Sequence, residues 1–160
     1  MSPSLKASPK QAARLLVVGV TSPLLAGVYV DRRLVETFSS EAKSSEGLPP
    51  LLHRVRYAYD LQALYYAKGP GSFMAIKVTY VMLKTLSIVL EIPLYAADAF
   101  TFNGGRPIKA VGRSCFVKRG QEIVVERGCE ATEEGFTLPS TLDPSLFDLD
   151  AEPLYVLPAV

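Results

Sequence analysis

The longest apolar segment of the chain spans residues 73–90 and contains only two charged residues. Its length and composition predict one long α-helix. Ser72 precedes it and makes a good N-cap, because a serine hydroxyl accepts a hydrogen bond from a free amide of the first turn. Residues 64–67 are typical of the end of a buried strand, and Gly69-Pro70-Gly71 predicts a turn between strand and helix. The centre of the chain is therefore predicted to be a strand–turn–helix unit.

This helix is apolar on more than one side. Lys77, Lys84 and Glu91 are seven residues apart and form a narrow polar line. Met74, Val81 and Ile88 are also seven apart and form an apolar line beside the lysines, which we call the heptad stripe. A helix that is apolar on several sides must be covered on several sides. At 100° per residue a separate broad apolar face is predicted, comprising Ala75, Ile76, Val78, Met82, Leu83, Leu86, Val89 and Leu90.

Three environments would cover the heptad stripe: a membrane, the rest of the same domain, or another polypeptide. A membrane span is disfavoured because each central lysine costs about 2.5–3.5 kcal/mol on insertion scales. Burying the stripe would contribute roughly 4–9 kcal/mol, against an association cost of about 4–15 kcal/mol, so a dimer needs a second contact element. The partner interface is predicted to comprise the heptad stripe and two rim charges: Met74, Lys77, Val81, Lys84 and Ile88.

The segments before the central unit predict an antiparallel start to the chain. Residues 15–20, 26–30 and 34–38 are expected to form three strands joined by turns. A signal peptide is the alternative for this apolar run, and Pro23 and the charge at Asp31 argue against it. A short helix is expected over residues 48–57, with Ser45 as its cap.

After the long helix, residues 92–97 predict a strand parallel to the preceding one. Residues 98–102 are expected to form one helical turn. A second hairpin is predicted over residues 108–118 and 122–126. The chain from residue 128 onward has little periodicity, so we expect irregular structure with one strand at residues 154–156.

Composition limits the functions that the chain can have. Its 160 residues are 49% hydrophobic and carry a formal net charge of +1, so strong direct binding of nucleic acid is not indicated. Cys115 and Cys129 lack CxxC spacing and are expected to be reduced thiols, not a disulfide or a metal site. His53 is the single histidine, which excludes histidine-cluster metal sites. No metal site is predicted.

The Gly69-Pro70-Gly71-Ser72 turn is the one candidate for ligand chemistry. Helix N-termini bind anions, so the turn is either structural or a weak phosphate site. It lacks the GxxxxGK[ST] spacing of a P-loop. No nucleophile–base pair can be assembled from the sequence, so no catalytic residue is predicted.

Two segments carry a resemblance to a known family. GPGSFMAIKVTYVMLKTLSIVLEIPL, from Gly69 to Leu94, resembles the GPGSFTGLRIG segment, following helix and IPL strand of the TsaB family. The ending AEPLYVLPA is similar to the EPLYLRP ending of that family. Two glycines at the family's helix start are replaced here by Ala75 and Thr79. Gly19 stands where the family has an aspartate in its first strand, and carboxylates are what hard cations prefer.

The resemblance implies an α/β fold: an actin/Hsp70-like ATPase (RNase H-like) lobe with a mixed sheet, plus a small reduced second lobe. The expected division is a disordered tail at residues 1–12, an N-terminal lobe at 13–103 and the reduced lobe at 104–160. It further implies a cytoplasmic, non-catalytic subunit that supports a TsaD-type enzyme in threonylcarbamoyladenosine modification of tRNA.

The resemblance also sets the expected partners and cofactors. The partners would be a TsaD-type protein, a TsaE-type ATPase, or a second copy bound through helix 72–91. No cofactor is expected, with ATP or ADP only at a partner interface. The alternative is a small nucleotide-binding enzyme that uses the Gly-Pro-Gly-Ser turn.

Overall fold

Nine strands in two sheets and two long helices make up the computed structural model, which describes residues 9–129 and 135–156. The elements in chain order are β1 (Gln11–Val18), β2 (Leu24–Val30), β3 (Arg33–Ser40), α1 (Ser44–Ala58), β4 (Tyr59–Ala67), α2 (Phe73–Leu90), β5 (Leu94–Ala97), β6 (Ile108–Lys109), β7 (Ser114–Arg119), β8 (Glu122–Arg127) and β9 (Asp148–Leu149). The larger sheet has the order β3-β2-β1-β4-β5-β9, and the smaller has the order β6-β7-β8.

The larger sheet is mixed. β1 pairs antiparallel with β2, and β2 pairs antiparallel with β3, so the predicted three-strand start is confirmed. β1 also pairs parallel with β4, and β4 pairs parallel with β5, which confirms the strand–helix–strand unit. β1 begins at Gln11, so residues 11 and 12 belong to the sheet and not to a disordered tail. Residues 1–8 of that predicted tail lie outside the described residues.

The two helices differ in how well their starts were predicted. α2 begins after Ser72, whose hydroxyl accepts from the Ala75 amide at 3.5 Å, so this cap is confirmed. α1 begins four residues before the predicted start, and the prediction of Ser45 as cap is wrong. Lys43 occupies the N-cap position and makes no side-chain capping bond.

Each face of the larger sheet has its own hydrophobic cluster. α1 and α2 cover one face, where Val17, Leu64 and Leu83 are buried together. The smaller sheet and the C-terminal segment cover the other, where Phe116 and Phe147 pack with side chains of the larger sheet. The predicted domain division at residue 103 stays a prediction.

Residues 135–156, here called the C-terminal strap, cross the larger sheet from one edge to the other. The Leu34 amide donates to the Ser140 carbonyl at 3.0 Å, beside β3. β9 then pairs antiparallel with β5, and the Leu154 amide donates to the Lys68 carbonyl at 2.7 Å. The strand predicted at residues 154–156 is therefore wrong: that segment is non-regular, and the strand of the strap is β9.

Two expectations for the smaller sheet are also corrected. Residues 108–118 are not one strand, because a turn that contains Gly112 at φ 67° separates β6 from β7. The prediction of two reduced thiols is wrong, since Cys115 and Cys129 form a disulfide with their Cα atoms 6.1 Å apart. The physical reason is the hairpin, which places Glu126 opposite Cys115 and so returns Cys129 to the same place.

α2 is long and apolar enough to cross a membrane by length and composition, and its mean hydropathy is 1.7. This is weak evidence for a span, because the core helix of a soluble protein passes the same test. In the fold, Ile76, Leu83 and Leu86 of α2 are buried against the sheet.

Candidate functional site

The Gly69-Pro70-Gly71 turn lies at the carboxyl end of β4 and is closely surrounded by backbone. A Cβ on Gly71 would lie 2.5 Å from the Val20 carbonyl oxygen, and one on Gly69 would lie 2.4 Å from the Leu154 carbonyl oxygen. Gly69 also has φ +121°, a conformation that L side chains rarely adopt. The two glycines are therefore required by the packing of the chain itself.

The polar backbone groups around this turn are largely engaged within the protein. The Ser72 amide donates to the Val20 carbonyl, and the Gly69 carbonyl accepts from the Ala99 amide, both at 2.8 Å. The Ser72 hydroxyl caps α2. These contacts favour a structural role for the turn over a phosphate site.

A cleft of about 530 Å³ opens beside the turn, between the first turns of α1 and α2. Sequence reasoning missed it, because its two halves are separated by about thirty residues in the chain. Two of the residues that line it are joined by a hydrogen bond, which Ser22 donates to Glu41 at 3.3 Å. Its lining combines hydroxyl, charged and apolar side chains: Thr21, Ser22, Leu24, Glu41, Ala42, Lys43, Ser44, Ser45, Ser72, Met74, Ala75 and Val78.

Two departures from the TsaB-like motif lie against each other behind this cleft. A Cβ on Gly19 would lie 2.9 Å from both the Thr79 Oγ1 atom and the Leu24 Cδ1 atom. Thr79 is fully buried, and its hydroxyl has no hydrogen-bond partner among the described residues. Thr79 therefore occupies the space that an acidic side chain at position 19 would need.

The heptad stripe is exposed along its whole length. The exposed fractions are 69% for Met74, 52% for Val81 and 66% for Ile88. Lys77 is exposed beside the stripe, and Lys84 is half-buried. All five residues of the predicted interface thus lie on one side of α2, and apart from Lys84 all are exposed.

The broad apolar face was predicted less well. Val89 was assigned to it, yet its side chain is 64% exposed and adjoins Ile88, so that assignment is wrong. Thr79 and Ser87 are buried instead. The buried side of α2 is therefore centred farther from the heptad stripe than hydropathy alone indicated, because small polar side chains fit against the sheet there.

The C-terminal strap borders the lysine side of α2. Lys84 Nζ lies 3.6 Å from the Asp150 carboxylate, and the ring of Tyr155 packs edge-on against Phe73 at 5.2 Å between centroids. Both charged side chains of the first contact reach solvent, so this ion pair contributes little to stability. Neither contact was predicted from the sequence, since nothing local marks the strap as a neighbour of α2.

Among the residues that the structure describes, the largest pKa shifts belong to two buried tyrosines. Burial raises the pKa of the Tyr29 and Tyr66 hydroxyls, which donate to the carbonyls of Pro139 and Ala151 at 2.7 Å. His53 is exposed on α1. Within residues 9–129 and 135–156, no three His, Cys, Asp or Glu side chains are grouped as metal ligands would be.

Solved structures with a similar architecture include the following two. YeaZ from Pseudomonas aeruginosa matches with 16% identity and a TM-score of 0.49, over 79% of this chain and 72% of its own. A second crystal structure covers 94% of this chain and 85% of its own, with 14% identity and a TM-score of 0.54. It is the structure of an uncharacterised protein with similarity to peptidase YeaZ from Pseudomonas aeruginosa.

The fold is YeaZ-like. YeaZ is the TsaB protein, so the neighbour with the TM-score of 0.54, itself similar to YeaZ, agrees with the resemblance seen in the sequence. The mixed α/β architecture agrees with the RNase H-like, actin-like fold of YeaZ. At 14% identity the likeness establishes the fold alone. No family model matches the chain, and no curated protein matches its sequence.

Proposed function

We propose that this YeaZ-like chain is a non-catalytic adaptor that docks through α2 on a TsaD-type protein and supports threonylcarbamoyl transfer to tRNA in the cytoplasm. The observation that carries the proposal is the exposed heptad stripe on an otherwise well-packed fold. Contiguous exposed apolar surface marks interaction sites in soluble proteins. Residues 104–160 would correspond to a reduced second lobe, a TsaE-type ATPase would be a further partner, and ATP or ADP would bind only where partners meet.

The charges beside the stripe favour a different protein over a second copy as the main partner. Met74 and Ile88 are each seven residues from Val81, so an antiparallel copy of α2 would match apolar side chains well. It would also bring Lys77 and Lys84 of both copies to one interface, where Lys84 is paired with Asp150 but Lys77 has no acidic residue of α2 beside it. A partner helix with an apolar ridge would pack against the heptad stripe, and carboxylates at the rim of that helix would pair with the lysines.

Co-purification with a TsaD-type protein tests the proposal. Val81→Asp places a carboxylate in the centre of the interface, and the affinity should fall at least about tenfold because a buried charge without a partner is costly. Val35→Asp is the matched control, since Val35 on β3 is also 52% exposed and is far from α2 in sequence. Equal co-purification of wild-type and Val81→Asp chains would contradict the proposal.

A second experiment separates the homodimer from the mixed complex. Sedimentation of the chain alone should show a monomer at micromolar concentration. A dimer that Val81→Asp dissociates would instead make a second copy the occupant of the heptad stripe.

The rival function is a small nucleotide-binding enzyme, and the cleft beside Ser72 is the observation in its favour. The buried contact of Thr79 with Gly19 counts against it, because no carboxylate is available at position 19 to hold a metal-bound phosphate. Calorimetry with ATP and ADP, with an ATPase assay on the isolated chain, decides between them. Tight binding and turnover that Ser72→Ala abolishes would establish the rival.

A further inference from the structure

The Cys115–Cys129 bond fastens the end of the β7–β8 hairpin to β7. Cys115 is fully buried, whereas Cys129 is only half-buried. The Gly128 amide also donates to the Arg113 carbonyl at 3.0 Å, which holds the start of the same segment. Residues 130–134, which follow the bond, lie outside the described part of the chain.

The alternating directions of the side chains along β7 show on which face of the smaller sheet the disulfide lies. Phe116 packs into the hydrophobic cluster beneath the larger sheet. Successive strand residues point to opposite faces, so Cys115 points to the outer face of the smaller sheet. Cys115 is buried there nonetheless, and the residue bonded to it is Cys129. The segment that carries Cys129 therefore covers the outer face at this position.

We propose that Cys115–Cys129 is a thiol–disulfide exchange site, opened by a dithiol from the Cys129 side. A thiolate of the dithiol attacks the Cys129 Sγ, breaks the S–S bond and releases Cys115 as a thiolate that takes a proton. The second thiol of the dithiol then attacks the mixed disulfide and releases Cys129. The protein gains two electrons and two protons, and the dithiol becomes a disulfide.

The opened form differs from the closed form in one place. Without the bond, Gly128 and Cys129 separate from β7, which uncovers the Cys115 thiol and frees the backbone at Arg127, whose side chain is already exposed, from its pairing with Ser114. The core of the larger sheet and α2 are not involved, so this property is independent of the proposed docking function. For a chain in the cytoplasm, as proposed above, a disulfide is commonly transient or redox-sensing, and the half-buried Cys129 is the more accessible end of this one.

Alkylation followed by intact-mass measurement tests the exchange step on the folded, full-length chain. Protein that is treated with oxidised glutathione, and then denatured in the presence of N-ethylmaleimide, should carry no N-ethylmaleimide adduct. Protein treated with dithiothreitol under native conditions should carry two. Two adducts in the first sample would overturn the pairing. A bond that dithiothreitol reduces only after the protein has unfolded would overturn the exchange site.

Limited trypsin digestion tests the opening. Reduction should speed cleavage after Arg127 by about tenfold or more, because proteolysis follows the population of the open form. Cleavage after Arg33, on β3 of the larger sheet, is the internal control and should not change. Equal rates after Arg127 in both redox states would overturn the proposal.

Two variants keep this test interpretable. Cys115→Ser/Cys129→Ser should be cut quickly after Arg127 whether or not dithiothreitol is present. Should that variant fail to fold, Cys129→Ser alone leaves the buried position unchanged and should give the same dithiothreitol-independent rate. A slow rate in a folded variant that lacks the bond would also overturn the proposal.

Discussion

At the residue scale, two glycines fix how the central turn packs. Both Gly69 and Gly71 approach carbonyl oxygens of distant residues so closely that no side chain fits. The sequence predicted a turn at this place, since Gly-Pro-Gly is a strong local signal. It did not reveal the two partners, Leu154 and Val20, because those contacts join segments that are distant in the chain.

Gly71→Ala should lower the free energy of unfolding by about 1–3 kcal/mol, because its Cβ would overlap the Val20 carbonyl. Gly69→Ala should cost more, since it adds left-handed backbone strain to the overlap with Leu154. Denaturant unfolding measures both. Gly135→Ala is the control, because no atom of the described residues lies within 4 Å of an added Cβ there, and it should change stability by less than about 0.5 kcal/mol. Unaltered stability in Gly71→Ala would show that the close approach does not exist.

The buried hydroxyl of Tyr66 should make the free energy of unfolding depend on pH in the alkaline range. Burial raises its pKa above the ordinary value of 10.0, so the folded chain keeps the proton when the unfolded chain loses it. The contribution of Tyr66 is therefore complete below pH 10 and is lost as the pH rises through the folded pKa. Unfolding measured between about pH 8 and 11 should show a steeper loss for wild type than for Tyr66→Phe. At neutral pH, Tyr66→Phe should lose about 1 kcal/mol with its hydrogen bond.

At the element scale, α2 shows which features of a helix its own sequence determines. The bounds, the Ser72 cap and the exposed heptad stripe follow from local spacing, and the structure agrees with each. Which side is buried depends on the neighbouring sheet, and hydropathy placed Val89 on the wrong side. α1 was predicted too short, because its first turn is polar and its cap, Lys43, is not a residue that signals a helix start.

The end of α2 offers a stabilising substitution. Glu91 adopts the left-handed conformation with φ 55°, while the Ile92 amide donates to the Ser87 carbonyl at 3.0 Å. This is the arrangement in which helices most often use glycine. Glu91→Gly should therefore raise the free energy of unfolding by about 1 kcal/mol, and the melting temperature should rise with it. Glu91→Ala keeps the Cβ and should bring no such gain; an equal gain in both would point to the lost charge instead.

At the scale of the whole molecule, the C-terminal strap joins parts that the sequence could not connect. Its buried aromatic anchor is Phe147, whose ring lies 4.9 Å from that of Tyr65 on β4 and 6.0 Å from that of Phe102 between centroids. The strap has no regular periodicity, so neither its path nor β9 could be predicted. The disulfide was missed for the same reason, since only the hairpin brings its cysteines together.

Phe147→Ala should destabilise the protein by about 3–5 kcal/mol, because it leaves a cavity between the strap and the larger sheet. Leu146→Ala is the control from the same segment, since Leu146 is 56% exposed, and should have little effect. Thermal unfolding measures both. Similar small losses in the two variants would mean that the strap does not close the core.

β9 has a consequence for solubility. β5 would otherwise be the last strand of the larger sheet, with free amides and carbonyls along Leu94–Ala97 that can recruit a foreign strand. A two-residue strand that begins with Asp148 pairs with part of this rim and is itself too short and too acidic to template further growth. Chains truncated before residue 144 should consequently form insoluble aggregates at concentrations where the intact protein stays clear.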